Sequence, residues 1–287
     1  MAKLLSGKAV AEELKTALSA RAAALAAQGV APTLAILRLG DDPADENYIK
    51  SIRKRAEAVA VGLRQVNVPM DAPEADILAA MDALAANPGV HGILLCQPIP
   101  RPVRHLTADL LARLPAEKDV DGATAASAAA MLLGREGFRP CTAEACVTVL
   151  DYYGIDCTGK NAVVIGRSNV IGKPAALLLM DRNATVTVCH TRTADLAAET
   201  RRADILLCSA GRAGLIGAGH VKPGAVVLDV GANWDPEARK IVGDVRLAEV
   251  EPLAEAVTPV PGGVGMVTSS VLMAHVLTAA EKSCSHR

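Results

Sequence analysis

The chain has 287 residues, of which 51% are hydrophobic and 21% are charged. This composition argues against intrinsic disorder, and domains of about 100 to 200 residues make two domains the natural expectation. The 30 Lys and Arg residues oppose 31 Asp and Glu residues, so the formal net charge of -1 argues against nucleic acid or an anionic membrane as partner. No stretch reaches the roughly 20 apolar residues of a membrane span, so we expect a small-molecule partner.

Cysteine usage and the N-terminus indicate the compartment. The seven cysteines are odd in number, scattered and without a CxxC pair, which argues against a disulfide framework and a structural zinc site. Residues 1–15, MAKLLSGKAVAEELK, interrupt their apolar positions with Lys and Glu at helical spacing, unlike a signal peptide. We therefore expect a cytoplasmic protein without a metal centre.

The first half of the sequence alternates apolar runs of strand length with stretches of helical periodicity. Strands are predicted at 33–39, 63–68 and 90–96, and helices near 44–60, 74–86 and 123–130. The helices at 44–60 and 74–86 are long enough to connect parallel strands. This pattern predicts an N-terminal α/β domain.

The second half contains nearly continuous apolar runs, as in parallel strands buried on both faces. Strands are predicted at 161–165, 184–189, 204–209, 225–230 and 256–260, and helices at 174–180 and 194–201. The pattern predicts a Rossmann-like parallel-sheet domain. Gly and Pro within 135–142 place the boundary near residue 140, so we expect a first domain at 1–140, a second at 141–268 and a C-terminal helix, 269–287, that completes the first.

The loop after the predicted strand at 161–165 begins Gly166-Arg167-Ser168-Asn169 and leads into a helix. Gly166 permits a tight turn and a close approach to a pyrophosphate, while helix N-terminal amides and Arg167 supply positive potential. The pattern is not GxGxxG, and a glycine turn of this kind is also common for structural reasons. The spacing alone therefore favours neither interpretation.

The end of the next predicted strand indicates the choice of cofactor. NAD-selective folds often carry Asp or Glu there to bind the ribose hydroxyls. Here Thr191, Arg192 and Thr193 offer one cation and two hydroxyls, which suit a 2′-phosphate better. NADP is therefore expected, with NAD as the alternative, although a solvated turn would also explain these residues.

Three further segments are candidates for substrate contacts. In KDVDG, Asp119 and Asp121 flank Val120, and one carboxylate can accept paired hydrogen bonds from an aminopyrimidine ring, or cap the following helix. The run TPVPGGVG at 258–265 is stiff and bare, which suits a flat ring or a tight crossover. Tyr48 lies among basic residues on a helix, either to stack on a substrate ring or as part of a solvated face.

Taken together, the segments resemble the methylenetetrahydrofolate dehydrogenase/methenyltetrahydrofolate cyclohydrolase family over essentially the whole chain. The matching strings are GDDPA at 40–44, GILLCQPIP at 92–100, KDVDG at 118–122, PCT at 140–142, GRSNVIGKP at 166–174, NATVTVCHTRT at 183–193, DVGAN at 229–233, GDV at 243–245 and TPVPGGVG at 258–265. Their number and order are more specific than any single string.

The resemblance implies an NAD(P)-dependent 5,10-methylenetetrahydrofolate dehydrogenase of one-carbon metabolism that acts as a homodimer. It implies that the N-terminal α/β domain is the catalytic, folate-binding domain and that the Rossmann-like domain binds the NAD(P) cofactor. It implies cofactor contacts at Gly166, Arg167, Ser168, Thr191 and Ala232, a pterin-binding carboxylate at Asp121 and a stacking tyrosine at Tyr48. With the patterns above, the full set is Tyr48, Lys54 and Asp121 for catalysis, Tyr48, Cys96, Gln97, Asp121, Pro261, Gly262 and Gly263 for the folate, and Gly166, Arg167, Ser168, Thr191, Arg192, Gly231 and Ala232 for the cofactor.

Two departures from the family pattern lie in the predicted catalytic centre. The family has its catalytic lysine four residues after the tyrosine, on the same helix face, and here Ile52 stands there. Lys54 becomes the counterpart only if the helix shifts locally. Where the family commonly has Gln-Leu-Pro, this chain has Cys96-Gln97-Pro98, so Gln97 is displaced by one residue and Cys96 is expected to face the substrate.

These departures affect the two reactions unequally. Hydride transfer needs mainly alignment of two carbons, so dehydrogenase activity is expected. The cyclohydrolase step needs proton transfer, so that activity is expected to be weak or absent unless Lys54 substitutes. The alternatives are a fully bifunctional enzyme, a different Rossmann oxidoreductase, and a non-catalytic folate- or nucleotide-binding protein.

Overall fold

A computed structural model of the chain describes residues 1–237 and 239–285, in which helices and strands alternate. The helices are α1 (Gly7–Ala27), α2 (Pro43–Ala58), α3 (Glu74–Ala86), α4 (Thr107–Arg113), α5 (Ala125–Leu132), α6 (Cys141–Tyr152), α7 (Gly172–Met180), α8 (Leu196–Thr200), α9 (Leu247–Val250) and α10 (Gly265–Ser285). The strands are β1 (Lys3–Leu4), β2 (Thr33–Leu39), β3 (Gly62–Val68), β4 (Gly92–Leu95), β5 (Asn161–Ile165), β6 (Thr185–Cys189), β7 (Ile205–Cys208), β8 (Val226–Asp229), β9 (Asn233–Asp235), β10 (Lys240–Val242) and β11 (Ala256–Val257). Residues 269–285 of the predicted C-terminal helix lie within α10, and its last two positions, 286 and 287, are outside the described residues.

The chain divides into two compact α/β units, which confirms the expected fold class. One unit contains residues 1–12 and 142–268, and the other contains 13–141 and 269–285. The division expected from the sequence differs at the N-terminus, where residues 1–12 join the second unit. The reason is that β1 pairs in parallel with β11, and a two-residue strand whose partner lies near the other end of the chain has no local sequence signal.

The unit that contains residues 13–141 is built on a three-stranded parallel sheet. Its strand order is β3-β2-β4, with α2 and α3 as the connections. The central strand β2 is almost wholly buried, and Leu37, Ile77, Met81 and Ile93 meet in the core on one side of it. The predicted strand at 90–96 is shorter in the structure, because its pairing with β2 begins only at Gly92.

The other unit is built on a six-stranded parallel sheet with the order β1-β11-β8-β7-β5-β6. After β5 the chain moves to one side for β6 and then to the other side for β7, so the topological switch point lies between β5 and β7. Val188 in the edge strand β6 is 40% exposed, so burial on both faces was a wrong expectation for this strand. Strands β9 and β10 form a separate antiparallel pair that the sequence pattern did not predict.

Three features bear on the expectations drawn from composition. In the described part of the chain, no helix combines the length and apolar content needed to cross a bilayer. No disulfide joins two of the seven cysteines there. The same residues contain no cluster of three or more His, Cys, Asp or Glu side chains arranged to hold a metal ion.

Candidate active site

The turn after β5 has a backbone conformation that favours glycine. Gly166 has a φ of 117°, and a Cβ there would overlap the backbone oxygen of Ser209. A Cβ on Gly172, at the start of α7, would overlap the backbone oxygen of Gly166. Backbone therefore packs on backbone here, and the exposed residues 167–170 lie at the helix N-terminus, where amides attract a diphosphate. These residues fit a dinucleotide cofactor.

Ser168 fastens this turn to the helix. Its hydroxyl accepts hydrogen bonds from the backbone N–H groups of Ile171 (3.1 Å) and Gly172 (3.4 Å). Both bonds satisfy amides at the helix start that have no partner within the helix. The neighbouring Arg167 side chain is exposed, so it can bring a cation to a phosphate group at this turn.

The turn after β6 lies beside the Gly166 turn, because the Gly166 N–H donates to the carbonyl of the last residue of β6 (2.9 Å). The His190 N–H donates to Oγ1 of Thr193 (2.9 Å), and His190 Nδ1 accepts from the Arg192 N–H (3.1 Å). Thr191 and Arg192 are exposed at the tip of this closed turn. The geometry therefore presents a hydroxyl and a cation near the candidate diphosphate site.

Two buried carboxylates stabilise the loops at the carboxyl ends of the strands, and sequence reasoning gave them no role. Asp229 accepts hydrogen bonds from the backbone N–H groups of Gly231 (2.9 Å), Asp244 (3.0 Å) and Val245 (3.0 Å). Burial raises the pKa of Asp229 to about 6, although these hydrogen bonds act in the opposite direction. Gly231 is buried and packs so closely on Asp244 that a Cβ on Gly231 would overlap it. The predicted cofactor contact Ala232 is exposed. In the sequence, the only indication that Asp229 and Asp244 matter was their place in the family strings DVGAN and GDV.

The glycines of TPVPGGVG divide into a packed residue and an open one. Gly263 is buried, and a Cβ there would lie 2.5 Å from the Pro259 carbonyl oxygen. The Gly7 N–H donates to the Gly262 carbonyl (2.8 Å), and a Cβ on Gly7 would overlap the Gly263 oxygen. Gly263 therefore forms a tight crossover with the start of α1. Gly262 has a φ of 108°, but a Cβ on it would lie 3.8 Å from the Pro259 ring, an ordinary contact distance, and Pro261 is exposed.

In the other unit, the two carboxylates of KDVDG have different surroundings. Asp119 is fully buried and accepts hydrogen bonds from the N–H groups of Ala123 and Thr124, both at 2.9 Å, and from the Ser127 hydroxyl at 2.6 Å. It anchors the turn that leads into α5. Asp119 is therefore the capping residue that the sequence left as an alternative, and Asp121 remains the candidate for a ligand.

The surroundings of Asp121 disfavour its charged form. Burial raises the pKa of this carboxyl to about 6, and hydrogen bonds from the thiol and the backbone N–H of Cys141 act against that rise. Asp119 adds a like charge that raises the pKa further, and His275 lowers it. The Nδ1 of His275 lies 2.8 Å from the carbonyl oxygen of Val120, next to the carboxylate. Cys141 and His275 are neighbours that sequence reasoning did not identify.

Tyr48 and Cys96 belong to the same cluster as Asp121. Desolvation raises the pKa of the Tyr48 phenol well above its usual range, and the charges of Asp121, Cys141 and Cys96 raise it further, although 37% of the residue surface stays exposed. Burial also raises the pKa of the Cys96 thiol to about 12, with the charge of Asp45 as the next cause. At neutral pH both groups are therefore protonated, so Tyr48 can donate a hydrogen bond beside Asp121.

Lys54 and Gln97, the remaining predicted residues of this unit, are exposed. Ile52 is fully buried in α2, four residues after Tyr48. The helix is continuous, so Lys54 lies about 120° around the axis from Tyr48, and its side chain is exposed. Gln97 is also exposed, whereas Cys96 before it is buried. The catalytic role of Lys54 and the substrate contact of Gln97 stay predictions.

Two family models cover most of the chain. The model for the catalytic domain of tetrahydrofolate dehydrogenase/cyclohydrolase matches residues 5–121. The model for the NAD(P)-binding domain of tetrahydrofolate dehydrogenase/cyclohydrolase matches residues 140–284. A similar protein from Paraburkholderia phytofirmans, named Bifunctional protein FolD, is 45% identical over 285 residues, which span 99% of this chain and 98% of the relative.

Solved structures agree with these matches. The bifunctional FolD methylenetetrahydrofolate dehydrogenase/cyclohydrolase from Campylobacter jejuni is 37% identical, with a TM-score of 0.94, over 98% of this chain and 99% of the other. The Trypanosoma brucei methylenetetrahydrofolate dehydrogenase-cyclohydrolase, solved with NADP cofactor and an inhibitor, is 32% identical, with a TM-score of 0.93, over 99% and 98%. Several relatives are named bifunctional, so the comparisons do not bear out the expectation of a weak cyclohydrolase.

Proposed function

Because the chain belongs to the tetrahydrofolate dehydrogenase/cyclohydrolase family, we propose that it oxidises 5,10-methylenetetrahydrofolate to 5,10-methenyltetrahydrofolate with NADP. The observation that carries the proposal is the Gly166 turn at the switch point of a parallel sheet, where backbone packs on backbone beside an exposed helix start. The Asp121 cluster of the other unit supports a reduced pterin as the substrate.

The residues of the chain bind and orient in this reaction. The carboxylate of Asp121 accepts hydrogen bonds from the ring N–H and amino group of the pterin, and Tyr48 stacks on or donates to the substrate. The amides of the Gly166 turn and Arg167 hold the cofactor diphosphate, and Arg192 pairs with the 2′-phosphate. When bound, the nicotinamide supplies the hydride acceptor for the methylene carbon.

The direct test mixes the purified protein with methylenetetrahydrofolate and either NADP or NAD, and follows the absorbance of the reduced nicotinamide. We expect a signal with NADP, and a higher KM with NAD. In Arg192→Ala the KM for NADP should rise about tenfold while the KM for NAD stays within about twofold, because one charge-assisted contact is lost. No signal with either cofactor would contradict the proposal and favour a binding protein or another oxidoreductase.

A second candidate activity is hydrolysis of the methenyl product, which the names of the bifunctional relatives favour. We propose that this chain catalyses the step more slowly than a chain with lysine at position 52. Two residues support a slower step. Ile52 offers no amine, and the protonated Cys96 thiol cannot replace an amide. A positioned general base contributes roughly 10²- to 10⁴-fold, so its loss leaves measurable but reduced hydrolysis.

The test adds methenyltetrahydrofolate without cofactor and follows its disappearance. The double variant Ile52→Lys with Cys96→Gln should hydrolyse it at least about tenfold faster than the natural chain. Lys54→Ala serves as the control, and we expect no change because Lys54 is exposed on another helix face. A loss of hydrolysis in Lys54→Ala would instead assign the role to Lys54, as the sequence alternative proposes.

We also propose that the protein acts in the cytoplasm as a homodimer. The described cysteines are free thiols, most of them buried, which supports a reducing compartment. The homodimer is supported by the family resemblance. Light scattering of the purified protein would measure a mass near twice that of the 29.6 kDa chain, and a monomer mass would contradict this assembly.

A further inference from the structure

Asp244 is a buried carboxylate that connects two loops of the Rossmann-like unit. It has no exposed surface. Its Oδ2 accepts hydrogen bonds from the backbone N–H groups of Ala210 (2.6 Å) and Gly211 (3.1 Å). Its Oδ1 accepts from the Arg212 N–H (2.8 Å) and from the Asn233 side-chain amide (2.9 Å). Each oxygen therefore meets two donors.

Both loops lie at the edge of the sheet where the cofactor is expected. Residues 210–212 follow β7, one of the two strands that flank the switch point. The preceding Ser209 contacts the Gly166 turn, because its hydroxyl donates to the carbonyl at the end of β5 (2.9 Å) and its backbone blocks a Cβ on Gly166. Residues 231–233 follow β8 and include the exposed, predicted cofactor contact Ala232.

The chemistry of this contact requires an anion. Three successive backbone N–H groups form a concavity that binds negative charge, and the Asp244 carboxylate fills it from within the protein. An amide at this position would have to turn its NH₂ group toward two donors, whichever way it was oriented. Asp229 supports the arrangement by accepting the backbone N–H of Asp244 itself (3.0 Å).

We propose that Asp244 is a positioning residue for the nicotinamide cofactor. Its carboxylate holds residues 210–212 and 231–233 together in the shape that the cofactor needs at the switch point. The inference rests on the proposed function only for the identity of the cofactor. It goes further in assigning cofactor affinity to a residue that does not touch the cofactor.

The single tryptophan of the chain gives a readout that does not need catalysis. Trp234 follows Asn233 in β9 and is 61% exposed. Energy transfer from its indole to NADPH therefore reports binding next to the loop that Asp244 holds. In Asp244→Asn we expect the Kd for NADPH to rise at least about tenfold, because buried hydrogen bonds to a charged group are lost.

Comparing the KM values for the two substrates distinguishes a positioning role from a general loss of structure. In Asp244→Asn the KM for NADP should rise while the KM for methylenetetrahydrofolate stays within about twofold. Asn233→Ala removes only one donor and should raise the Kd for NADPH roughly three- to tenfold, so it decides the question if Asp244→Asn does not fold. Asp181→Asn, an exposed residue after α7, is the matched control and should bind NADPH like the natural chain.

The outcomes separate this inference from the proposed function. An NADPH affinity within twofold of the natural value in folded Asp244→Asn, or in Asn233→Ala when Asp244→Asn fails to fold, overturns the positioning role. If the natural protein binds NADPH but does not oxidise methylenetetrahydrofolate, only the proposed function fails, and the affinity ratio still decides the role of Asp244. If it binds neither NADPH nor NADH, both ideas fail together.

Discussion

The proposed cofactor site and the proposed folate site are built from different kinds of chemical groups. At the proposed cofactor site the framework is backbone, namely the Gly166 turn and the amides of 210–212 that Asp244 holds, and exposed arginine side chains are added to it. At the proposed folate site the key groups are side chains, with Asp121 and Tyr48 in one cluster. Both departures from the family pattern lie at the folate site. A site made of side chains changes its chemistry with one substitution, whereas a site made of backbone depends on glycines and on the carboxylates that fix its loops.

Within the unit that contains residues 13–141, Asp119 and Asp121 show how a structural carboxylate differs from one proposed to bind a ligand. The two lie on either side of one valine. Asp119 accepts three hydrogen bonds, from Ala123, Thr124 and Ser127, and these bonds hold the turn before α5. Hydrogen bonds from Cys141 lower the pKa of Asp121, but burial still raises it to about 6. The negative charge of Asp121 is therefore not fully compensated by its neighbours. A ligand with two donors would complete that compensation.

The largest effect is expected from a substitution in the Gly166 turn of the proposed cofactor site. In Gly166→Ala, the added Cβ meets the rigid backbone of Ser209 and the residue must keep a φ of 117°. We expect the NADPH affinity to fall at least about a hundredfold, which corresponds to ~2.7 kcal/mol. Titration of Trp234 fluorescence measures it. Gly219→Ala is the control, because a Cβ there has open space, and an unchanged affinity in Gly166→Ala would contradict the backbone site.

The next effect concerns the side-chain site. In Asp121→Asn, the charge-assisted hydrogen bonds to the pterin are lost, and we expect the KM for methylenetetrahydrofolate to rise about a hundredfold. The Kd for NADPH should stay within about twofold, because Asp121 belongs to the other unit. Steady-state kinetics with saturating NADP measure the change. If Asp121→Asn weakened the binding of the folate and of NADPH equally, Asp121 would not act specifically at the proposed folate site.

A third substitution tests the contrast between the two carboxylates. In Asp119→Asn, the buried acceptor of Thr124 and Ser127 is weakened, so the free energy of unfolding should fall by ~2 kcal/mol. The KM for the folate should stay within about threefold in the folded protein. Thermal unfolding together with kinetics measures both quantities. A large rise in KM without loss of stability would exchange the roles of Asp119 and Asp121.

The smallest expected effect follows from pH. The pKa of Asp121 is about 6, so between pH 7.5 and pH 5 its carboxylate protonates and the Kd for tetrahydrofolate should rise about tenfold. Stability responds with the opposite sign. Because the folded pKa is raised, the contribution of Asp121 to stability increases as pH falls through 6 toward 3.8. Calorimetry measures the affinity, and Asp121→Asn should show no such pH dependence of binding.

The sequence predicted those parts of the fold that have a local signal. Strands 33–39 and 161–165 are found with the predicted bounds, because apolar residues make up most of each strand. Strand β1 and the pair β9 and β10 were missed, because they are short and depend on distant or weakly apolar partners. The family strings located the candidate site. They assigned the pterin to Asp121 but gave no structural role to Asp119 or Asp244, because hydrogen-bond partners are set by tertiary structure.

The parallel pair of β1 and β11 also has a consequence for how the protein is made. Leu4 lies opposite Val257, so β1 can form this pair only after β11 has been synthesised. The other unit likewise depends on the C-terminus, since Arg21 in α1 binds Glu281 in α10 through two hydrogen bonds. A polypeptide that terminates before β11 therefore lacks both the β1–β11 pair and the Arg21–Glu281 contact, so neither unit can complete its native contacts.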